Sequence, residues 1–114
     1  MAGQVYKYPD LVKCATEYRT ILSTDKYSQK TIMYIAPGKN VGREMHPQTD
    51  QTVIVLQGNG FAMLSPCDKP EQIDVQEFHI HDMIDVPAGI YHDFYNYDPD
   101  NGLKLLVIYS PPLH

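Results

Sequence analysis

Turn residues interrupt this chain so often that no long element fits between them, and this limits the class of fold. Pro37-Gly38-Lys39-Asn40, Gly58-Asn59-Gly60, Pro66–Pro70, Pro87-Ala88-Gly89 and Asp98–Gly102 are such interruptions. They combine residues that preset φ, tolerate positive φ or bond their own backbone. The stretches between them are rich in β-branched and aromatic residues, which suit strands. They predict strands over Tyr18–Ser23, Ser28–Ala36, Gly42–His46, Thr52–Gln57, Phe61–Ser65, Gln72–Ile80, Met83–Val86, Tyr91–Tyr97 and Leu103–Tyr109. Gly58-Asn59-Gly60 reads as a hairpin turn. Only residues 9–17 (PDLVKCATE) read as a short helix, with Leu11, Val12 and Ala15 on one face. About nine short strands at close spacing imply an all-β sandwich or barrel. The spacing alone leaves immunoglobulin-like, lipocalin-like and jelly-roll forms open.

A length of 114 residues fits a single domain over 1–114, with 1–17 as an N-terminal extension. A chain of this size can bury a core without disulfides or a structural metal, so a metal bound here is expected to be functional. Cys14 and Cys67 lack C-x-x-C spacing and read as two free thiols of a reducing, cytoplasmic compartment. The net charge is −5 and no stripe of Lys and Arg exists, so no nucleic acid is expected as a partner. The first residues carry no apolar signal-peptide core, and no apolar run approaches the ~20 residues of a membrane span. There is no G-x-S-x-G elbow and no phosphate-binding P-loop, and no serine sits in a nucleophile context.

Two segments carry chemistry. In the first, Glu44 and His46 are two apart on an expected strand and so share a face. A turn at Pro47–Asp50 brings Gln51 back towards them, with Val53 and Val55 on its face. A carboxylate, an imidazole and an amide oxygen then converge. In the second, Pro87 and Gly89 form a tight turn that aims the next strand. His92 lies near the start of that strand, with Phe94 and Asn96 on its face. Tyr91, Tyr95 and Tyr97 occupy the opposite face and read as packing or interface residues. Arg43 alternates with Glu44 and His46 and should face away from them. His79 and His81 flank Asp82 in a turn and read as surface residues, and His114 is terminal.

These segments resemble the paired motifs of the cupin superfamily. The first cupin motif, G-x5-H-x-H-x3–4-E-x6-G, is matched by Gly38, His46 and Gly58, with Glu44 in the first histidine place and Gln51 in the glutamate place. The second, G-x5-P-x-G-x2-H-x3-N, is matched by Pro87, Gly89, His92 and Asn96, with His81 in the leading glycine place. A narrower likeness covers most of the chain. Small single-domain cupins labelled mannose-6-phosphate isomerase-like carry text similar to Glu44–Gln51, Val86–His92 and Leu103–Pro112. In that subgroup glutamate and glutamine at positions 44 and 51 are usual.

The resemblance implies a cupin double-stranded β-helix, a jelly-roll barrel, with a short N-terminal helix. It also implies one divalent transition metal held by Glu44, His46, Gln51 and His92. Two histidines and a carboxylate suit Fe(II) and are compatible with Zn, Mn, Ni or Co. Gln29, Met33, Phe94 and Tyr109 are candidates to line the cavity. The implied function is a small metalloenzyme acting on a sugar or small organic acid, with isomerase-like chemistry and Glu44 as base or ligand. An Fe(II)-dependent dioxygenase and a non-catalytic small-molecule binder are the alternatives. A homodimer is expected, as cupins commonly pair through barrel strands.

Overall fold

The computed structural model describes residues 3–113 of the chain; Met1, Ala2 and His114 lie outside the described residues. One helix, α1 (Tyr8–Cys14), precedes eight strands. These are β1 (Thr20–Thr24), β2 (Gln29–Ile35), β3 (Asp50–Gln57), β4 (Gly60–Pro66), β5 (Asp74–Phe78), β6 (Met83–Val86), β7 (Ile90–Tyr95) and β8 (Leu103–Ser110). They form an antiparallel five-stranded sheet, ordered β1-β2-β8-β3-β6, facing an antiparallel three-stranded sheet, ordered β5-β4-β7. This is the all-β jelly-roll architecture that the sequence implies.

Alternation builds the core. In β8, Leu103, Leu105, Val107 and Tyr109 are buried while the residues between them are half-buried. The inward row of β3, Gln51, Val53 and Val55, continues it, and Ala62, Phe78 and Phe94 close it from the small sheet. The intervening Leu106 and Ile108 of β8 meet Tyr6 and Leu11 on the outer face of the large sheet, beneath α1. Lys104 Nζ donates to the Val12 carbonyl at 2.7 Å, which ties the helix there.

Three expectations are corrected. The helix ends at Cys14 rather than Glu17. Ala15 is buried, and the chain beyond bends at Glu17 and Tyr18, whose carbonyls accept from Tyr34 N. Residues 42–46 are not a regular strand. Gly42 takes φ +98° and gives its N–H to Asp93 Oδ1, which breaks the ladder and leaves isolated pairings to β7 at Asn40↔Tyr95 and Glu44↔His92. Gly58-Asn59-Gly60 is not a hairpin turn, since β3 and β4 lie in different sheets. Gly58, at φ +97°, passes against the Gly102 carbonyl and Leu103, and Gly60 passes against the Tyr95 carbonyl and the Phe78 ring. The crossing needs glycine for its lack of a side chain as much as for its φ.

Candidate metal centre

Glu44 and His92 meet because their backbones pair directly. Glu44 N donates to the His92 carbonyl at 2.9 Å, and His92 N donates to the Glu44 carbonyl at 2.8 Å. Residues that exchange both bonds of an antiparallel pair present their side chains to one face. His46 follows two residues on and is held by its carbonyl, which accepts from Gly89 N at 2.9 Å. The turn-forming Gly89 (φ +84°) thus anchors both segments of the site. One ligand-type atom from each of Glu44, His46 and His92 lies within 4.8 Å of the others. His46 Nε2 stands 3.5 Å from Glu44 Oε2, and the two imidazoles lie 5.2 Å apart between centroids.

The fourth residue arrives across the large sheet. Gln29, Tyr109, Gln51 and Val86 sit opposite one another in adjacent strands and make one inward-facing row. Gln51 lines the same cavity as Glu44 and His92.

Two buried polar atoms there have no hydrogen-bond partner, His46 Nε2 and Gln51 Oε1. A buried acceptor without a partner costs about 1–3 kcal/mol, so such atoms in a native fold ask for a ligand. His92 Nδ1 faces the Ile90 carbonyl at 3.2 Å. A carbonyl only accepts, so Nδ1 carries the proton and Nε2 keeps its lone pair for the cavity. Burial pushes the His92 imidazole below its ordinary pKa; the Ile90 carbonyl opposes this and His46 adds to it. A neutral imidazole is the form that ligates. Two imidazoles, a carboxylate and an amide oxygen therefore fit a divalent transition ion.

The cavity has a volume of about 230 Å³ and is lined by Met33, Phe94 and Tyr109 in addition to Glu44, Gln51 and His92. Gln29 is buried but does not line it; its Oε1 accepts from the Arg19 guanidinium at 3.2 Å and its Nε2 donates to Thr24 at 3.0 Å. Arg19 and Tyr18 line the mouth instead, and sequence reasoning missed both. Both precede β1 (Thr20–Thr24), Tyr18 in a bend and Arg19 just after it, where strand alternation assigns no face. Arg43 faces away as expected, bonding Ser65 and the Pro70 carbonyl and stacking 4.3 Å from the Tyr91 ring. His79 and His81 are exposed, and Cys14 and Cys67 are exposed free thiols.

No protein-family model matches the sequence. The chain is 35% identical over 99 residues to the uncharacterised protein YrkC of Bacillus subtilis, covering 85% of this chain and 51% of YrkC. It spans about half the length of the curated relatives it matches. Among solved structures it is similar to BH2720 of Bacillus halodurans, with 30% identity and a TM-score of 0.90 over 100% of this chain and 84% of that one. An uncharacterised Klebsiella pneumoniae protein with a double-stranded β-helix domain superposes at a TM-score of 0.77 and 16% identity, over 96% of this chain and 90% of that one. The cupin domain of Schizosaccharomyces pombe Cnp3 does so at 0.71 and 12% identity, over 82% and 59%. These last two likenesses bear on the fold alone.

Proposed function

We propose that this chain, which belongs to one family with BH2720 and has the double-stranded β-helix fold, is a cupin and a small metalloenzyme acting on a sugar or small organic acid. Glu44, His46 and His92 hold one divalent transition ion in this reading, with Gln51 adding a neutral oxygen. The observation that carries it is the pair of partnerless buried atoms, His46 Nε2 and Gln51 Oε1, beside the three clustered ligand atoms. When bound, the ion supplies Lewis-acid polarisation of a substrate carbonyl or hydroxyl oxygen.

The chain's own residues do the rest. Phe94 and Met33 form the apolar wall that excludes water from the bound substrate. Glu44 is the one carboxylate among the described residues lining the cavity, and serves as acceptor for a substrate proton where the ion does not hold it tightly. Tyr109 is the complementary donor. Burial raises its phenol above the ordinary value and the charge of Glu44 adds to this, while Arg19 opposes it. The phenol therefore stays protonated through neutral pH. An acceptor and a donor lining one small cavity suit a proton shift between neighbouring carbons, as in isomerisation.

The two-histidine, one-carboxylate set favours one second reading, an Fe(II)-dependent dioxygenase. Elemental analysis of untagged protein, dialysed against a weak chelator, is the first test. About one equivalent of transition metal supports the site. Zinc or manganese favours the isomerase reading, and iron with substrate-dependent oxygen uptake favours the second. No metal, and no uptake of added Fe(II), Mn, Ni or Zn, overturns the metalloenzyme and leaves a small-molecule binder. The reading includes a homodimer, supported by the free edge of β1 with its exposed Ile21. Sedimentation at twice the monomer mass is the expected result.

A further inference from the structure

We propose that Arg19 is the anion anchor of this cavity and that the ligand is a small molecule bearing a carboxylate at the end away from Glu44, His46 and His92. The inference rests on the reading of the cavity as a small-molecule site. Arg19 is the one Lys or Arg among the described residues that line it. Its guanidinium is held on two sides. It donates to Gln29 Oε1 at 3.2 Å, and it lies 5.4 Å from the centroid of the Tyr109 ring. Gln29 is itself fixed, being buried and bonded through Nε2 to Thr24 Oγ1.

Tyr109 also neighbours the candidate metal centre. The His46 imidazole meets the same ring edge-on, with 5.9 Å between centroids. One phenol ring thus neighbours both the cation and an imidazole of the ligand cluster, and Arg19, Glu44 and His92 line one small cavity that a ligand of a few carbons can span. Two further observations speak for an external partner. Arg19 takes part in no ion pair among the described residues, although Glu44 lines the same cavity. Its bond to Gln29 and its approach to the Tyr109 phenol leave further N–H donors of the five in a guanidinium for a ligand.

The chemistry of those donors selects the ligand class. A guanidinium pairs a carboxylate through two parallel hydrogen bonds. A single cation matches a single carboxylate, whereas a phosphate dianion calls for more donors than this mouth offers. The volume agrees. About 230 Å³ is below the ~300–1,000 Å³ of clefts that take drug-sized ligands.

The test is calorimetric titration of succinate into metal-free and metal-loaded protein, wild type and Arg19→Gln, with succinamide and inorganic phosphate as parallel probes. Arg19 is exposed and outside the core, so Arg19→Gln is expected to fold, which circular dichroism checks. The expected result is at least a tenfold loss of succinate affinity in Arg19→Gln, in both forms. Its metal affinity by chelator competition should stay within twofold of wild type, and succinamide should bind weakly and equally to both proteins. Succinate binding that is absent from wild type, or unchanged in Arg19→Gln, overturns the proposal. Phosphate binding more tightly than succinate through Arg19 overturns the carboxylate assignment. If the protein takes up no metal, the metalloenzyme reading fails by itself, and the metal-free titration still decides the role of Arg19.

Discussion

His46 Nε2 and Gln51 Oε1 are left without partners inside a fold that otherwise pairs its buried polar atoms closely, Asn96 being the clearest contrast. The Asn96 side chain is fully buried and donates to the carbonyls of Ile35, Ala36 and Asn101 while accepting from Asp98 N. Asn96→Ala strands several of these groups and should cost about 2–4 kcal/mol in urea unfolding without changing metal affinity. The ligand-type residues should behave in the opposite way. His92→Ala should lower metal affinity by on the order of 100-fold or more while the barrel stays folded, as read by chelator competition and circular dichroism. Glu44→Ala should act similarly. Gln51→Ala should cost only about tenfold, because an amide is a neutral ligand. Equal losses for Gln51→Ala and Glu44→Ala would show that charge is not what the site contributes.

The eight strands of the structure were legible as elements because turn chemistry and alternation agree, as in Leu103–Ser110, where every second residue is buried. What the sequence hid was which strands pair. Gly58-Asn59-Gly60 has the composition of a hairpin turn, yet it carries the chain from one sheet to the other. Residues far along the chain, the Tyr95 carbonyl and the Phe78 ring, occupy the space that a side chain at Gly60 would need. Gly60→Ala should therefore destabilise by about 1–3 kcal/mol, more than a glycine in an open turn, and denaturant unfolding measures this. Gly38, with open space where a side chain would go but φ +71°, is the natural comparison. Likewise Glu44, His46, Gln51 and His92 could be read from spacing and resemblance. Arg19 could not, because it lies just before β1, where alternation assigns no face.

For the molecule as a whole, the buried cluster links stability to pH and to metal. His92 is held below its ordinary pKa by burial, so the unfolded chain takes up the proton first as pH falls through about 6.5. More protons on the unfolded state means that stability is retained above that value and declines below it. Metal-free protein should thus show a falling Tm on acidification from neutral pH, with a shallower slope in His92→Gln. A metal at 100 times its Kd should add about 2.7 kcal/mol by mass action, visible as a raised Tm in wild type and absent in Glu44→Ala. No helix of the described chain is long and apolar enough to cross a membrane. The most direct test is anomalous scattering from crystals of the metal-loaded protein, recorded at the absorption edge of the bound element. The account predicts one strong peak within about 2.0–2.2 Å of Glu44, His46 and His92 ligand atoms. A peak elsewhere, or none in crystals shown to contain the metal, would contradict it.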